Sequence, residues 1–98
     1  MENKQKKYIF RGDRSGVFYG TMLERNGKEV KIGDCRRLWY WDGANSLSDV
    51  SLIGTTKPQN CKFTATVKEL TITDLIEFIE CTDEAMKNIE GVQEWTRK

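Results

Sequence analysis

The chain has 98 residues, with 16 basic and 15 acidic side chains and a formal net charge of +1. This length suits one domain with a small core, so we expect copies of the chain to stabilise one another in a homo-oligomer. The balanced charge disfavours a duplex nucleic-acid partner, because proteins that bind duplexes usually carry a basic surplus. No stretch is long and apolar enough to cross a bilayer, and the charged MENKQKK start is not followed by an apolar signal-peptide core. We therefore expect a cytoplasmic protein with no membrane partner.

The residue types that build metal and catalytic sites are scarce. The three cysteines, Cys35, Cys61 and Cys81, are far apart in the sequence, and the chain contains no histidine. A zinc site is therefore not expected, and the cysteines are predicted to be buried and reduced. Without histidine the usual general base near neutral pH is missing, and the aspartates stand singly, mostly where turns or helix starts are predicted. We expect a protein that is not an enzyme and that needs no cofactor.

The first third of the chain is predicted to form strands. Residues 1–6 are expected to be a disordered arm, residues 7–12 a strand, residues 13–16 (DRSG) a turn, and residues 17–24 a second strand. Asn26-Gly27 then supplies the two positive-φ residues of a type I′ turn. This dipeptide predicts a β-hairpin whose second arm is the KEVKI stretch that follows it.

A strand rich in aromatic side chains is predicted next, after a brief break at Gly33-Asp34. It covers residues 35–41, with the sequence CRRLWYW. Alternation places Cys35, Arg37, Trp39 and Trp41 on one face and Arg36, Leu38 and Tyr40 on the other. Each face carries an arginine beside aromatic rings, which is unusual for a strand that only supplies core.

The second half of the chain is predicted to add a helix and further strands. The Ser46-x-x-Asp49 capping pattern and a closing Gly54 predict a short helix over residues 46–54. Residues 61–67 are predicted as a strand whose inward side chains are Cys61, Phe63, Ala65 and Val67. Residues 68–81 fit either a strand, with Asp74 in a bulge, or a helix, and their β-branched content favours the strand.

A second short helix is predicted near the end of the chain and completes the fold. It covers residues 82–91, with Thr82 as its cap and Gly91 at its end, and Trp95 is expected to pack on the sheet beside it. Together the elements predict a mainly β fold with one domain over residues 7–98. The domain is expected to be an antiparallel sheet or partly open barrel of about five or six strands with two short helices.

The stretch RRLWYWDGANS contains the parts of a nucleotide pocket. Arginine can pair with phosphate through its planar fork, and tryptophan and tyrosine offer flat surfaces for a base. Backbone N–H groups and short hydroxyls at the following helix start favour an anion. The candidate ligand-binding residues are Arg36, Arg37, Trp39, Tyr40, Trp41, Asn45, Ser46 and Ser48. The structural alternative is that the tryptophans fill the core, the arginines lie at its edge, and the asparagine and serines only cap the helix.

The segments GVFYGTMLERNGKEV, RRLWYWDGANSLSDVSLIGTTKPQNCKF and IEFIECTDEAMKNIEGVQEW together resemble a family of small phage and prophage proteins catalogued as a domain of unknown function. The resemblance covers residues 7–95 and is most specific from Arg36 onward. It implies no catalytic residues, and its setting implies the cytoplasm of a bacterial host. By analogy, the chain is also similar in size, neutrality and lack of catalytic groups to phage sponge proteins, which hold nucleotide immune signals.

Several functional hypotheses follow. The first is a non-enzymatic protein that sequesters a phosphate-bearing nucleotide signal, such as a cyclic oligonucleotide or an ADP-ribose derivative. The second is a module that inhibits or adapts a host protein, with the same rings as interface anchors. A minor phage structural component is the third, and an enzyme ranks last.

Overall fold

The computed structural model describes residues 6–95, and its β-strands form one antiparallel sheet. The strands are β1 (Tyr8–Gly12), β2 (Val17–Asn26), β3 (Glu29–Tyr40), β4 (Lys62–Ile72) and β5 (Leu75–Glu80), and the helical elements are α1 (Leu47–Ile53), a 3-10 turn (Pro58–Asn60) and α2 (Asp83–Gly91). The predicted mainly β fold with two short helices is confirmed. The predicted arm over residues 1–6 lies, except for Lys6, outside the described residues.

The sheet is curled so that its two edges approach each other at one end. Its strand order is β4-β3-β2-β1-β5, which would hold β4 and β5 about 19 Å apart in a flat sheet. Only Thr73 and Asp74 lie between these two strands, however, and such a link spans about 11 Å at most. Backbone hydrogen bonds close this end, from Asp13 N to Asp74 O at 2.8 Å and from Leu75 N to Lys28 O at 3.0 Å. The sheet is open, and its curl gives it the form of a partly open barrel.

A core lies on each face of the sheet, one enclosed by the curl and the other covered by the helices. Among the described residues, the inner core consists of the strand side chains Phe10, Phe18, Val30, Ile32, Cys35, Ile72 and Leu75. The helix-side core joins the other face of the sheet to both helices and includes Ile9, Tyr19, Leu38, Val50, Phe63, Cys81, Ala85, Ile89 and Val92. Alternation along a strand supplies both cores, since the neighbours Ile9 and Phe10 point to opposite sides.

The predicted β2–β3 hairpin is present, but its turn lies one residue later than predicted. Asn26 pairs with Glu29, so the turn consists of Gly27 and Lys28. Gly27 has a φ of 63°. A type I′ turn requires a positive φ at both central residues, and Lys28 does not have one. The turn therefore follows the type II′ pattern, with glycine at the first central position, and the predicted type I′ turn is wrong.

The predicted break at Gly33-Asp34 is a bulge inside one continuous strand. Two steps along β2, from Tyr19 to Thr21, match three steps along β3 at this point, and Asp34 has a φ of 45°. Such an extra residue re-aims the side chains that follow it. As a result Ile32 and Cys35, three residues apart, both point into the inner core.

The structure confirms the strand interpretation of residues 68–81 and corrects its details. Asp74 lies in the link between β4 and β5 and not in a bulge. Cys61 and Phe63 are buried as predicted, whereas Ala65 and Val67 are exposed. The reason is a register shift: two steps along β3 match three along β4 just after Phe63, which breaks the alternation that the prediction assumed.

Both predicted helices are confirmed, with their caps. Ser46 Oγ accepts a hydrogen bond from Asp49 N at the start of α1, and Gly54 ends this helix with a φ of 77°. Thr82 Oγ1 accepts from Ala85 N at the start of α2 and donates to Leu52 O, which joins the two helices. Within residues 6–95, no helix has the length and apolarity that a bilayer crossing needs.

Candidate ligand-binding site

Arg36, predicted to contribute to a cationic fork, lies inside the protein. Its exposed fraction is 6%, and its guanidinium donates to Thr64 O at 2.7 Å, Ile89 O at 2.8 Å and Val92 O at 2.6 Å. The last two carbonyls lie at the end of α2, where helix carbonyls lack intrahelical partners and a positive charge is favourable. Arg36 therefore ties β3 and β4 to α2 and is not part of the candidate site.

Arg37 lies on the opposite face of β3 and is exposed. Its guanidinium carbon is 4.6 Å from the centroid of the Phe18 ring, and Nη1 donates to Ser15 O at 2.8 Å. The ring and the carbonyl orient the guanidinium at the protein surface. Of the two predicted arginines, the structure thus presents Arg37 to solvent.

An open cleft of about 370 Å³ begins at Arg37. Its lining consists of Arg14, Ser15, Gly16, Val17, Arg37, Leu38, Trp39 and Trp41. The cleft brings a second arginine, Arg14, into the site, and the exposed guanidinium groups of Arg14 and Arg37 make its surface positive. Ligand pockets usually measure about 300–1,000 Å³, so a small molecule or part of a larger one fits this volume.

Asp74 holds the loop that carries Arg14. Its carboxylate accepts hydrogen bonds from Arg14 N at 2.7 Å, Ser15 N at 2.9 Å and Ser15 Oγ at 2.6 Å. Hydrogen bonds from the Ser15 side chain and from these backbone groups lower the pKa of Asp74. The N–H groups of Arg14 and Ser15 are therefore already paired with an anion of the protein itself, while the Arg14 side chain remains exposed.

The three aromatic side chains of the predicted site have different surroundings. Trp39 and Tyr40 have exposed fractions of 59% and 51%, whereas Trp41 is half-buried and packs against the helix-side core. Of the two roles considered for the tryptophans, core packing thus applies to Trp41 and surface exposure to Trp39. Trp41 supplies core and one wall of the cleft, and Trp39 is a surface ring.

A second feature, here called the lysine cage, consists of Lys62 and the rings of Trp39, Tyr40 and Trp95. Lys62 Nζ lies 5.2 Å, 6.0 Å and 5.3 Å from the centroids of these three rings. The Trp39 and Trp95 rings are 5.1 Å apart. The sequence predicts only that Trp95 packs on the sheet, and no local pattern connects it with Lys62 or Trp39, because these residues lie far apart in the chain.

The residues at the start of α1 serve the helix itself. Ser46 Oγ accepts from Asp49 N, and the Asp49 carboxylate accepts from Asn45 N at 3.3 Å. The carbonyl of Ser48 accepts from Ser51 Oγ at 2.7 Å. The lining of the cleft does not include Asn45, Ser46 or Ser48, and at this helix start the N–H groups of Asn45 and Asp49 donate to side chains of the protein itself.

A polar cluster on the helix side was not foreseen from the sequence. Tyr19 is 2% exposed, and its hydroxyl donates to Glu90 Oε2 at 2.6 Å, while Lys7 Nζ lies 3.1 Å from the same oxygen. Burial and the hydrogen bond to Glu90 raise the pKa of Tyr19. Burial alone would raise the pKa of Glu90, but the hydrogen bonds from Tyr19 and Lys7 and the Lys7 charge lower it. This cluster fastens α2 to β2 and to Lys7, the residue before β1.

These features define a small single-domain protein with a curled sheet and an exposed aromatic and cationic surface along β3. The chain belongs to the family described as domain of unknown function DUF6948, which matches residues 5–89. This finding confirms the expected membership of a domain of unknown function. The matched range includes the cleft and all of the lysine cage except Trp95. No curated protein and no solved structure matches the chain.

Proposed function

We propose that this protein is a non-enzymatic binder that sequesters a phosphate-bearing nucleotide in the cleft between β3 and the loop of residues 13–16. The observation that carries the proposal is the placement of exposed Arg37 and Arg14 beside the exposed ring of Trp39. Sequestration needs tight binding and slow release, and it needs no general acid or base.

The chemistry of the cleft suits a nucleotide better than an uncharged ligand. Arg37 is already stacked on Phe18 and bonded to Ser15 O, so little side-chain freedom is lost when it pairs with a phosphate. Arg14 supplies a second cation on a loop held by Asp74. Trp39 offers a flat ring on which a base can stack.

In its most specific form, the proposal is that of a phage-encoded sponge for a nucleotide immune signal, a cyclic oligonucleotide or an ADP-ribose derivative. Such a protein would act as a homo-oligomer in the cytoplasm of the host bacterium. The resemblance to small phage proteins, the small size of the chain and its near-neutral charge support this setting.

Isothermal titration tests the proposal with a panel of cyclic oligonucleotides and ADP-ribose isomers. We expect saturable binding of at least one member, weakened about 10- to 100-fold by Arg37→Ala, the range for loss of a charge-assisted hydrogen bond. Arg25→Ala is the matched control, because Arg25 also stacks on a ring, 5.4 Å from the Phe78 centroid, but outside the cleft. Its affinity is expected to stay within about twofold of the wild type.

The proposal would be rejected if no member of the panel bound detectably at protein concentrations of about 100 μM. A Kd of 0.1 mM corresponds to a binding free energy of about −5.5 kcal/mol. Equal weakening of nucleotide affinity by Arg37→Ala and Arg25→Ala would indicate that the ligand binds outside the cleft.

The exposure of Trp39 and Tyr40 supports a second candidate, a module that docks on a host protein. Large aromatic side chains and arginine dominate binding hot spots in protein interfaces. A pull-down from host lysate distinguishes the two candidates. A stoichiometric protein partner that is lost with Trp39→Ala, from preparations that hold no nucleotide, favours docking. Trp39 is the better choice for this test than Trp41, because Trp41 also packs on the core.

A further inference from the structure

We propose that the lysine cage is a binding site for a methylated organic ammonium, and that the Lys62 ammonium is its built-in occupant. The juxtaposition that carries the inference is one cation surrounded by three aromatic rings, Trp39, Tyr40 and Trp95, at 5.2–6.0 Å. This ligand class differs from the nucleotide proposed for the cleft, and the inference does not depend on that proposal.

The backbone builds the cage from consecutive residues of one strand. Two steps along β3, from Leu38 to Tyr40, match one step along β4, from Phe63 to Lys62, so β3 carries an extra residue here. A bulge of this kind re-aims side chains, and it allows the neighbours Trp39 and Tyr40 both to reach Lys62.

The third wall of the cage comes from the other end of the chain. Trp95 N donates to Phe63 O at 2.9 Å, which holds the Trp95 backbone beside β4. The Trp95 ring then meets the Trp39 ring at 5.1 Å with an interplanar angle of 37°. The rings thus form two tilted walls and an adjoining side, and do not stack flat on each other.

The contacts of Lys62 show which ligand the cage selects. Of the ion pairs within residues 6–95, none involves Lys62, and its ammonium contacts the three rings instead. An aromatic face carries negative charge density and attracts a cation, whereas it repels a phosphate. Rings arranged in this way are the means by which proteins recognise quaternary ammonium groups, as in the cages that bind choline and methylated lysine.

A quaternary ammonium has an advantage over Lys62 as the occupant. The primary ammonium of lysine is strongly hydrated and must give up hydrogen bonds to water to enter the cage. A methylated ammonium has fewer N–H donors or none, so it loses less hydration and adds methyl contacts with the rings. Lys62 acts as a tethered competitor, and its removal is expected to raise the affinity of a free ligand about two- to fivefold, the value of one exposed cation–π contact.

The first probes are choline and its uncharged isostere 3,3-dimethyl-1-butanol. Their binding is measured by tryptophan fluorescence and by NMR shifts of the indole N–H groups. Choline is expected to bind saturably and the isostere is not. Lys62→Ala is expected to strengthen choline binding by the factor above, whereas Lys68→Ala, at an exposed lysine of the same strand, leaves it unchanged. Trp39→Leu and Trp95→Leu are expected to abolish binding, with circular dichroism used to verify the fold of each.

A second pair of probes identifies the source of the ammonium. A short peptide with trimethyllysine and the same peptide with unmodified lysine distinguish a methylated protein tail from a small molecule. Tighter binding of the methylated peptide than of choline assigns the site to a protein tail, and tighter binding of choline assigns it to a small molecule. Arg37→Ala is expected to retain choline binding while it weakens nucleotide binding, so the two proposals can fail separately.

Two results would overturn the inference. One is equal response to choline and to its uncharged isostere, which would show that charge plays no part. The other is lack of saturation by choline or the methylated peptide in the Lys62→Ala protein, in which the built-in competitor is gone.

Discussion

Arg36 and Arg37 are consecutive residues of β3 that lie in opposite environments. Arg36 points to the helix side, where three backbone carbonyls accept from it, and Arg37 points away from the helices, over the Phe18 ring and into solvent. The chemistry of the two side chains is the same. Their environments differ because alternation along the strand turns Arg36 toward the helices and leaves Arg37 exposed at the proposed site. Trp41 and Trp39 also lie in different environments, one against the core and the other in solvent. Alternation would place these two residues on the same face, but β3 ends at Tyr40, so Trp41 lies beyond the strand.

The largest expected effect separates the two arginines by stability. Arg36→Ala is expected to lower the free energy of unfolding by about 3–5 kcal/mol, because three backbone carbonyls lose a charged donor. Arg37→Ala is expected to cost less than about 1 kcal/mol, the value of one exposed cation–π contact and one surface hydrogen bond. Urea unfolding monitored by circular dichroism measures both. Similar losses in the two variants would contradict the division of roles.

The tryptophans provide the next comparison. Trp41→Ala is expected to destabilise the protein by about 2–3 kcal/mol, less than the cost of a fully buried tryptophan, since the ring is half-buried. Trp39→Ala is expected to change stability by less than about 1 kcal/mol, because the ring is mainly in solvent. Thermal unfolding of both variants beside the wild type measures the difference. A larger loss for Trp39→Ala would assign this ring to the core as well.

A smaller effect concerns pH and the contact of Glu90 with Tyr19 and Lys7. Because these groups hold the pKa of the Glu90 carboxyl below its ordinary value of 4.5, the folded state releases this proton more readily than the unfolded chain. The resulting stability is present above pH 4.5 and is lost as the pH falls through the folded pKa. We expect Glu90→Gln to be less stable than the wild type at neutral pH and to show a shallower acid decline. Asp42 and Asp74, whose pKa values are also lowered, are expected to maintain the remaining slope.

Urea unfolding between pH 3 and pH 7 measures this effect. If the free energies of unfolding of the wild type and Glu90→Gln change in parallel with pH, Glu90 does not contribute to the acid sensitivity of the protein.

The finest distinction, between the two cores, comes from the rate at which a thiol reagent labels the cysteines. Burial raises the pKa of Cys35, despite the opposing Arg37 charge, to about 12, and burial with the charges of Glu80 and Glu90 raises that of Cys81 to about 12. Both thiols are therefore expected to react slowly with a thiol reagent at pH 8 until the protein opens. Arg36→Ala should speed the labelling of Cys81, which lies in the helix-side core, more than that of Cys35, which lies in the inner core. Mass spectrometry of the labelled peptides identifies each site, and equal acceleration at both would indicate a single cooperative core.

Those parts of the fold that depend on near neighbours in the chain were predictable. Ser46 and Thr82 cap their helices with atoms three residues away, and both helices appear as expected. The strand interpretation of residues 68–81 also holds, since β-branched residues fit a pleated surface. The errors lie at bulges and turns. One extra residue near Phe63 reversed the expected faces of Ala65 and Val67, because side-chain direction has a period of two.

The sequence predicted which residue types form the candidate site, but not which individual residues line it. Arg37, Trp39 and Trp41 do line one cleft, but Arg36 has acceptors 28, 53 and 56 residues away that no local pattern reveals. Arg14, Lys62 and Trp95 join the surface through strand pairing and through the return of the chain after α2.

The amino-acid order by itself determined the strands, the two capped helices and a concentration of arginine and aromatic groups at residues 36–41, because these follow from the preferences of neighbouring residues. Only the tertiary structure decided which of those groups face water. The curl of the sheet encloses one face, the helices cover part of the other, and each bulge reverses the side on which the next residue falls. The exposure of a single side chain therefore depends on contacts that are distant in the sequence.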